Sequence, residues 1–135
     1  MDEPTQTRVR HWLKRADEYI RAAELEFNGE FYARSISTAY YVMFYAATGA
    51  LASIGIERSK HSGVISAFGE HFVKTGKMSG EFGRILNQTM EDREESDYAE
   101  IPVVDSDLAK QHLEESKRLL ESVRQYLTKQ GLTLE

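Results

Sequence analysis

The stretch EFYARSISTAYYVMFYAATGALASI, residues 30–54, decides the fold. From Ile36 through Ala39, Tyr40, Tyr41, Val42, Met43, Phe44, Tyr45, Ala46 and Ala47 hardly a polar position interrupts it. A helix that is apolar nearly all round must be covered on several sides, so this segment is expected to be the central helix. Ile54-Gly55 ends it, and Glu57 to His61 form a short polar connection.

Working outward, the flanking segments repeat the 3.6-residue period on one face only, and no convincing strand alternation occurs. A first helix over about 5–27 places Val9, Trp12, Leu13, Ala16, Ile20, Ala23 and Phe27 on one stripe, and Asn28-Gly29 reads as its left-handed stop. A third, about 62–74, buries Val64, Ile65, Phe68 and Phe72 before Gly76. A fourth starts near Ser79, a good N-cap type, and carries Phe82, Ile85, Leu86, Thr89 and Met90. Pro102 excludes a helical continuation through Ala99–Val104. Asp105 or Ser106 caps the last helix, about 106–129, which buries Leu113, Ser116, Leu120, Val123 and Leu127 with Leu108, His112, Leu119 and Tyr126 beside them. The tail after Gly131 is expected to fray. The expectation is an all-α, up-and-down bundle of four long helices and one short one, a single domain over residues 1–135 with its core between about 8 and 128.

Bulk properties narrow the function classes. The 135 residues suit one domain, and 41% hydrophobic with 29% charged residues suits a soluble globular chain. No apolar run approaches the roughly 20 residues that cross a bilayer. The N-terminal Met-Asp-Glu-Pro-Thr-Gln lacks the basic and apolar parts of a secretory signal, so a cytoplasmic protein is expected. The absence of cysteine removes disulfides, thiolate zinc sites and cysteine nucleophiles. A net charge of -5 argues against holding nucleic acid by bulk electrostatics, so any RNA contact must be local.

Few motifs carry chemistry. His11, His61, His71 and His112 show no metal-ligand spacing, and the glycines fit no phosphate-loop pattern, so neither metal nor cofactor is expected. Tyr40, Tyr41, Phe44 and Tyr45 are either core or a stacking platform for a base. If core, their hydroxyls need polar partners, and Arg93 is a candidate. Lys60-His61, just before a helix, is either a polar cap or an anion contact. Arg93 is the odd residue, because the fourth helix's apolar stripe runs onto it. A guanidinium there is paired with Asp97 one turn on, exposed at a cleft mouth, or set beneath a partner subunit.

Three pieces together resemble the small stand-alone prokaryotic HEPN proteins (higher eukaryotes and prokaryotes nucleotide-binding domain). They are Ser37-Thr-Ala-Tyr-Tyr-Val-Met-Phe-Tyr-Ala-Ala, the segment from Lys60-His-Ser-Gly-Val-Ile to Lys77, and Arg93-Glu-Glu-Ser-Asp-Tyr. The resemblance covers roughly residues 8–128 and implies a helical bundle, usually a homodimer. It further implies a nucleotide- or RNA-binding protein, the toxin-like half of a toxin-antitoxin pair with a minimal nucleotidyltransferase. In the family's active branches an arginine followed four to six residues later by histidine serves metal-independent RNA cleavage. Carried onto this chain, the catalytic positions are Arg93, Asp97 and Tyr98; Lys60 and His61 from the anion-contact reading above, and Tyr41 from the stacking reading, join Arg93 as expected nucleotide or RNA contacts. Tyr98 stands where the histidine is expected, and with a reference pKa near 10 it is a poor base at pH 7. A non-catalytic interaction or substrate-binding module for a nucleotidyltransferase is therefore the alternative.

Overall fold

The computed structural model describes residues 1–100 and 104–133. Five α-helices follow in order: α1 Glu3–Asn28, α2 Tyr32–Ser53, α3 His61–Phe68, α4 Glu81–Tyr98 and α5 Ser106–Lys129. No strand occurs among the described residues, so the chain is an all-α bundle. The described helices include none long and apolar enough to cross a membrane.

The central position of α2 follows from its composition. It packs against α1, α5, α4 and α3, and Ile36, Tyr40, Val42, Met43, Ala46 and Ala47 have no exposed surface. Burying Ile36, Val42 and Met43 contributes roughly 1.5–3 kcal/mol each, which is why an all-round apolar helix sits inside. Its companions bury one stripe apiece. On α1 the stripe is Val9, Leu13, Ala16 and Ala23, and on α5 it includes Leu119, Leu120, Val123 and Leu127. Gly49 lets α1 come close, since a Cβ there would lie 3.3 Å from the Trp12 Cβ. The buried Ser35 hydroxyl donates to the Ala23 carbonyl at 3.0 Å, so even the polar contact between α1 and α2 is satisfied.

Helix ends explain where the bundle turns. Asp2 accepts from the Thr5 amide at 2.8 Å to open α1, and Asp105 accepts from the Leu108 amide at 2.8 Å to open α5. The expected stop at Gly29 is displaced by one residue. Gly29 has φ -83°, and Glu30 instead adopts φ 67°. The Phe31 amide donates to the Glu26 carbonyl and that of Glu30 to Phe27, the Schellman pattern with Glu30 at its left-handed position. Glycine is needed one place earlier for space, because a Cβ on Gly29 would stand 3.0 Å from the Phe31 ring.

Three further details differ from expectation. The third helical segment is α3 followed by a π-helical turn, Gly69–Val73, where the Lys74 amide donates to Gly69. The cap of α4 is Gly80; the Ser79 hydroxyl accepts from the Glu81 amide only at 3.4 Å. The C-terminal tail is held as far as Thr133: Leu132 is buried, and Arg10 donates to the Thr133 carbonyl at 2.7 Å. The Pro102 break lies outside the described residues.

α4 and α5 are joined by a buried polar node. His112, with no exposed surface, places Nε2 2.6 Å from Asp92 and Nδ1 3.1 Å from both Glu115 and the Thr89 hydroxyl. Thr89 already donates to the Ile85 carbonyl, so both ring nitrogens face acceptors.

Candidate functional site around Arg93

The stripe that buries Phe82, Ile85, Leu86 and Thr89 brings Arg93 to the same side of α4, facing the first half of α2. Its side chain is 12% exposed. The guanidinium carbon lies 5.0 Å from the Tyr40 ring centre and 5.7 Å from that of Tyr41. A cation over aromatic faces replaces part of the lost hydration, which is how an arginine is tolerated on an apolar stripe. Nη1 donates to Asp97 Oδ2 at 3.3 Å, and the Ser37 hydroxyl reaches the same oxygen at 3.3 Å.

The remaining edge of the guanidinium is bare. Nε is buried without a hydrogen-bond partner, and Nη2 has none among the described residues. An orphaned buried donor costs about 1–3 kcal/mol, so a fold under no other demand would pair it. Nε and Nη2 form the edge that a carboxylate or phosphate meets with two parallel bonds.

His61 packs against the same tyrosine pair. It is the first residue of α3, and its ring lies 4.2 Å from Phe44 and 5.7 Å from both Tyr40 and Tyr41, centre to centre. Its Nδ1 is 2.9 Å from the Tyr40 hydroxyl. Burial holds the imidazole below its ordinary pKa, and the nearby Arg93 charge acts in the same direction. Burial also pushes the Tyr40 hydroxyl up to about 12, against the pull of Arg93. The two groups therefore meet as a neutral phenol and a neutral ring.

The other sequence-derived candidates are divided. Tyr41 belongs to the cluster, half-buried between Arg93 and His61, with Tyr19, Tyr40, Phe44 and Tyr45 around its ring. Asp97 joins it through Arg93. Lys60 is an exposed neighbour at the N-cap of α3, with no capping bond from its side chain. Tyr98 stands apart: 77% exposed, it makes no hydrogen bond or ring contact with these groups. The Tyr40 and Tyr45 hydroxyls find His61 and Arg15 rather than Arg93, which uses the ring faces; Arg15 donates to Tyr45 at 3.1 Å. Ser37 and Tyr40 are members that sequence reasoning did not assign to the site. The sequence marks Tyr40 only as part of a core or stacking cluster and as a phenol in need of a partner, and nothing local marks Ser37, 60 positions from Asp97.

Beside Asp97 a cavity of about 270 Å³ is lined by Glu26, Arg34, Ser37, Thr38 and Asp97. A wider groove of about 540 Å³ lies elsewhere, near Phe82, Arg118 and Tyr126, and shares no residue with the Arg93 cluster.

Comparison with known proteins places the chain in a family. A Thermotoga maritima protein designated UPF0332 is 31% identical over 119 residues, covering 88% of this chain and 90% of the relative. An Archaeoglobus fulgidus protein of the same designation is 30% identical, covering 87% and 93%. A Methanocaldococcus jannaschii protein named "Putative toxin" is 28% identical, covering 89% and 82%. The family model for the HEPN domain matches residues 9–126, and the chain belongs to the HEPN family.

Proposed function

We propose that this chain binds RNA or a nucleotide through the Arg93 cleft and acts as the toxin-like half of a toxin-antitoxin pair whose other half is a minimal nucleotidyltransferase. The observation that carries the reading is the Nε of Arg93, buried beside the Tyr40 and Tyr41 rings with no hydrogen-bond partner among the described residues, and the unpaired Nη2 next to it. Asp97 and Ser37 hold the guanidinium from one side and leave that edge for a phosphate. The toxin name of the M. jannaschii relative and the HEPN match over most of the chain support the biological half of the reading.

Two copies of the cleft facing each other in a homodimer double the cationic groups available to one RNA. That arrangement matters because Glu91, Glu94 and Glu95 are exposed around Arg93 and repel a polyanion. Cleavage is the stronger form of the proposal. It asks for a base at the 2′-hydroxyl, an acid at the leaving oxygen and a cation at the phosphate. Arg93 supplies the cation.

The exposed position of Tyr98 favours a second reading, a non-catalytic module for the nucleotidyltransferase, which could also reach that hydroxyl to modify it. End-labelled RNA incubated with wild type, Arg93→Ala and Tyr98→Phe in EDTA, with dimerisation followed by sedimentation, separates the two. Cleavage lost only with Arg93 supports a metal-independent nuclease; no cleavage by any of the three leaves the binding module.

A further inference from the structure

Arg93 alone offers a phosphate one edge of donors. The second group facing the same tyrosine pair is His61, and its hydrogen bonding fixes what it can give. Tyr40 has no exposed surface, and among the described residues its hydroxyl has one partner, His61 Nδ1. Were Nδ1 the donor, the phenolic hydrogen would be buried without an acceptor. The arrangement that satisfies both groups has Tyr40 donating to Nδ1, which leaves the hydrogen of the neutral ring on Nε2. Among the described residues Nε2 has no hydrogen-bond partner, and it is not among the enclosed polar atoms. His61 also begins α3, where the positive end of the helix disfavours an imidazolium and favours an anion nearby.

We propose that His61 is a phosphate-binding residue of this site: a neutral imidazole that donates from Nε2 to a non-bridging oxygen of the phosphodiester held by Arg93, with Tyr40 as the positioning residue that sets its tautomer. The inference rests on the reading of Arg93 as the phosphate contact and deepens it. His61 is then neither the base nor the acid of a cleavage step. As a neutral ring it cannot give up its Nε2 proton without becoming imidazolate, and its Nδ1 lone pair is occupied by Tyr40. Neutral histidine acting as a fixed donor at a helix N-terminus is known enzyme chemistry. The ligand this describes is an RNA phosphodiester gripped by one cationic and one neutral donor, with Tyr41 between them.

The test uses the full chain and a short single-stranded RNA, 2′-O-methylated so that it cannot be cleaved and carrying a fluorophore for anisotropy. His61→Phe keeps a ring against Phe44 and deletes the donor; His61→Gln keeps an N–H donor near Nε2. The expected result is a loss of about tenfold or more in affinity for His61→Phe and a change within about threefold for His61→Gln. Because His61→Phe strands the Tyr40 hydroxyl, the double variant Tyr40→Phe/His61→Phe serves if the single one does not fold. In parallel, long-range proton–nitrogen spectra of histidine-labelled protein at pH 7.5 report the tautomer. The Nε2–H form is expected in wild type, and a tautomer mixture in Tyr40→Phe.

An Nδ1–H or doubly protonated His61, or equal losses in the Phe and Gln variants, overturns the inference. So does wild-type affinity in His61→Phe when Arg93→Met has lost binding, an outcome that leaves the Arg93 reading standing. No binding by wild type removes both.

Discussion

Replacing Arg93 by methionine separates a binding residue from a structural one, because the two roles predict different stabilities. Met keeps most of the apolar stem and removes the charge. The lost interactions are an i,i+4 ion pair between side chains 12% and 29% exposed and two cation–ring contacts at 5.0 and 5.7 Å. The pair is worth up to about 1 kcal/mol and each ring contact about 0.5–1 kcal/mol, a loss of roughly 1–3 kcal/mol together. Against it stands relief of the buried, unpaired Nε, about 1–3 kcal/mol. The net change is within about 2 kcal/mol of zero. Urea denaturation of wild type and Arg93→Met, followed by circular dichroism, measures it. A destabilisation beyond about 3 kcal/mol would refute the reasoning, because Arg93 would then be fastening α4 to α2 rather than waiting for a ligand.

Further outcomes follow from other parts of the bundle. Glu30→Gly relieves the left-handed strain of the α1–α2 turn and raises stability by about 0.5–1 kcal/mol in the same urea assay, since the side chain is in the region that costs a non-glycine residue about 1–2 kcal/mol. His112→Leu leaves Asp92 and Glu115 facing an apolar residue where their partner stood, and costs about 3 kcal/mol or more. Acid should act partly through His61. Its folded pKa lies below the ordinary 6.5, so its contribution to stability is present above that value and is lost as pH falls through the folded pKa. Melting temperatures between pH 8 and 5 should therefore fall less in His61→Phe than in wild type. Leu86→Ala, at a side chain with no exposed surface, costs about 2–5 kcal/mol and checks that the buried face of α4 is core.

Much of this architecture is written in local pattern. The apolar run from Ile36 to Ala47 dictates a covered helix, and one-faced stripes dictate what covers it. The Arg93–Asp97 pair is legible because i,i+4 spacing is a property of a single helix. What escaped the sequence depends on distant segments meeting. Ser37 reaches Asp97 and Tyr40 reaches His61 only once α2 lies against α4 and the start of α3. The position of the α1 stop escaped for a related reason: the Phe31 ring, folding back on the turn, claims the space beside Gly29 and passes the positive φ to Glu30. Tyr98 matched a motif by position, yet five residues along a helix carry it well round from Arg93, into solvent.

The central claim is that the bare edge of Arg93 is made for a phosphate. Anisotropy of the non-cleavable RNA against wild type and Arg93→Met, at low and moderate salt and with dimerisation checked, tests it most directly. The account predicts saturable binding by wild type and a loss of about tenfold or more in the folded variant. Equal binding by the two proteins, or none by wild type, would contradict it.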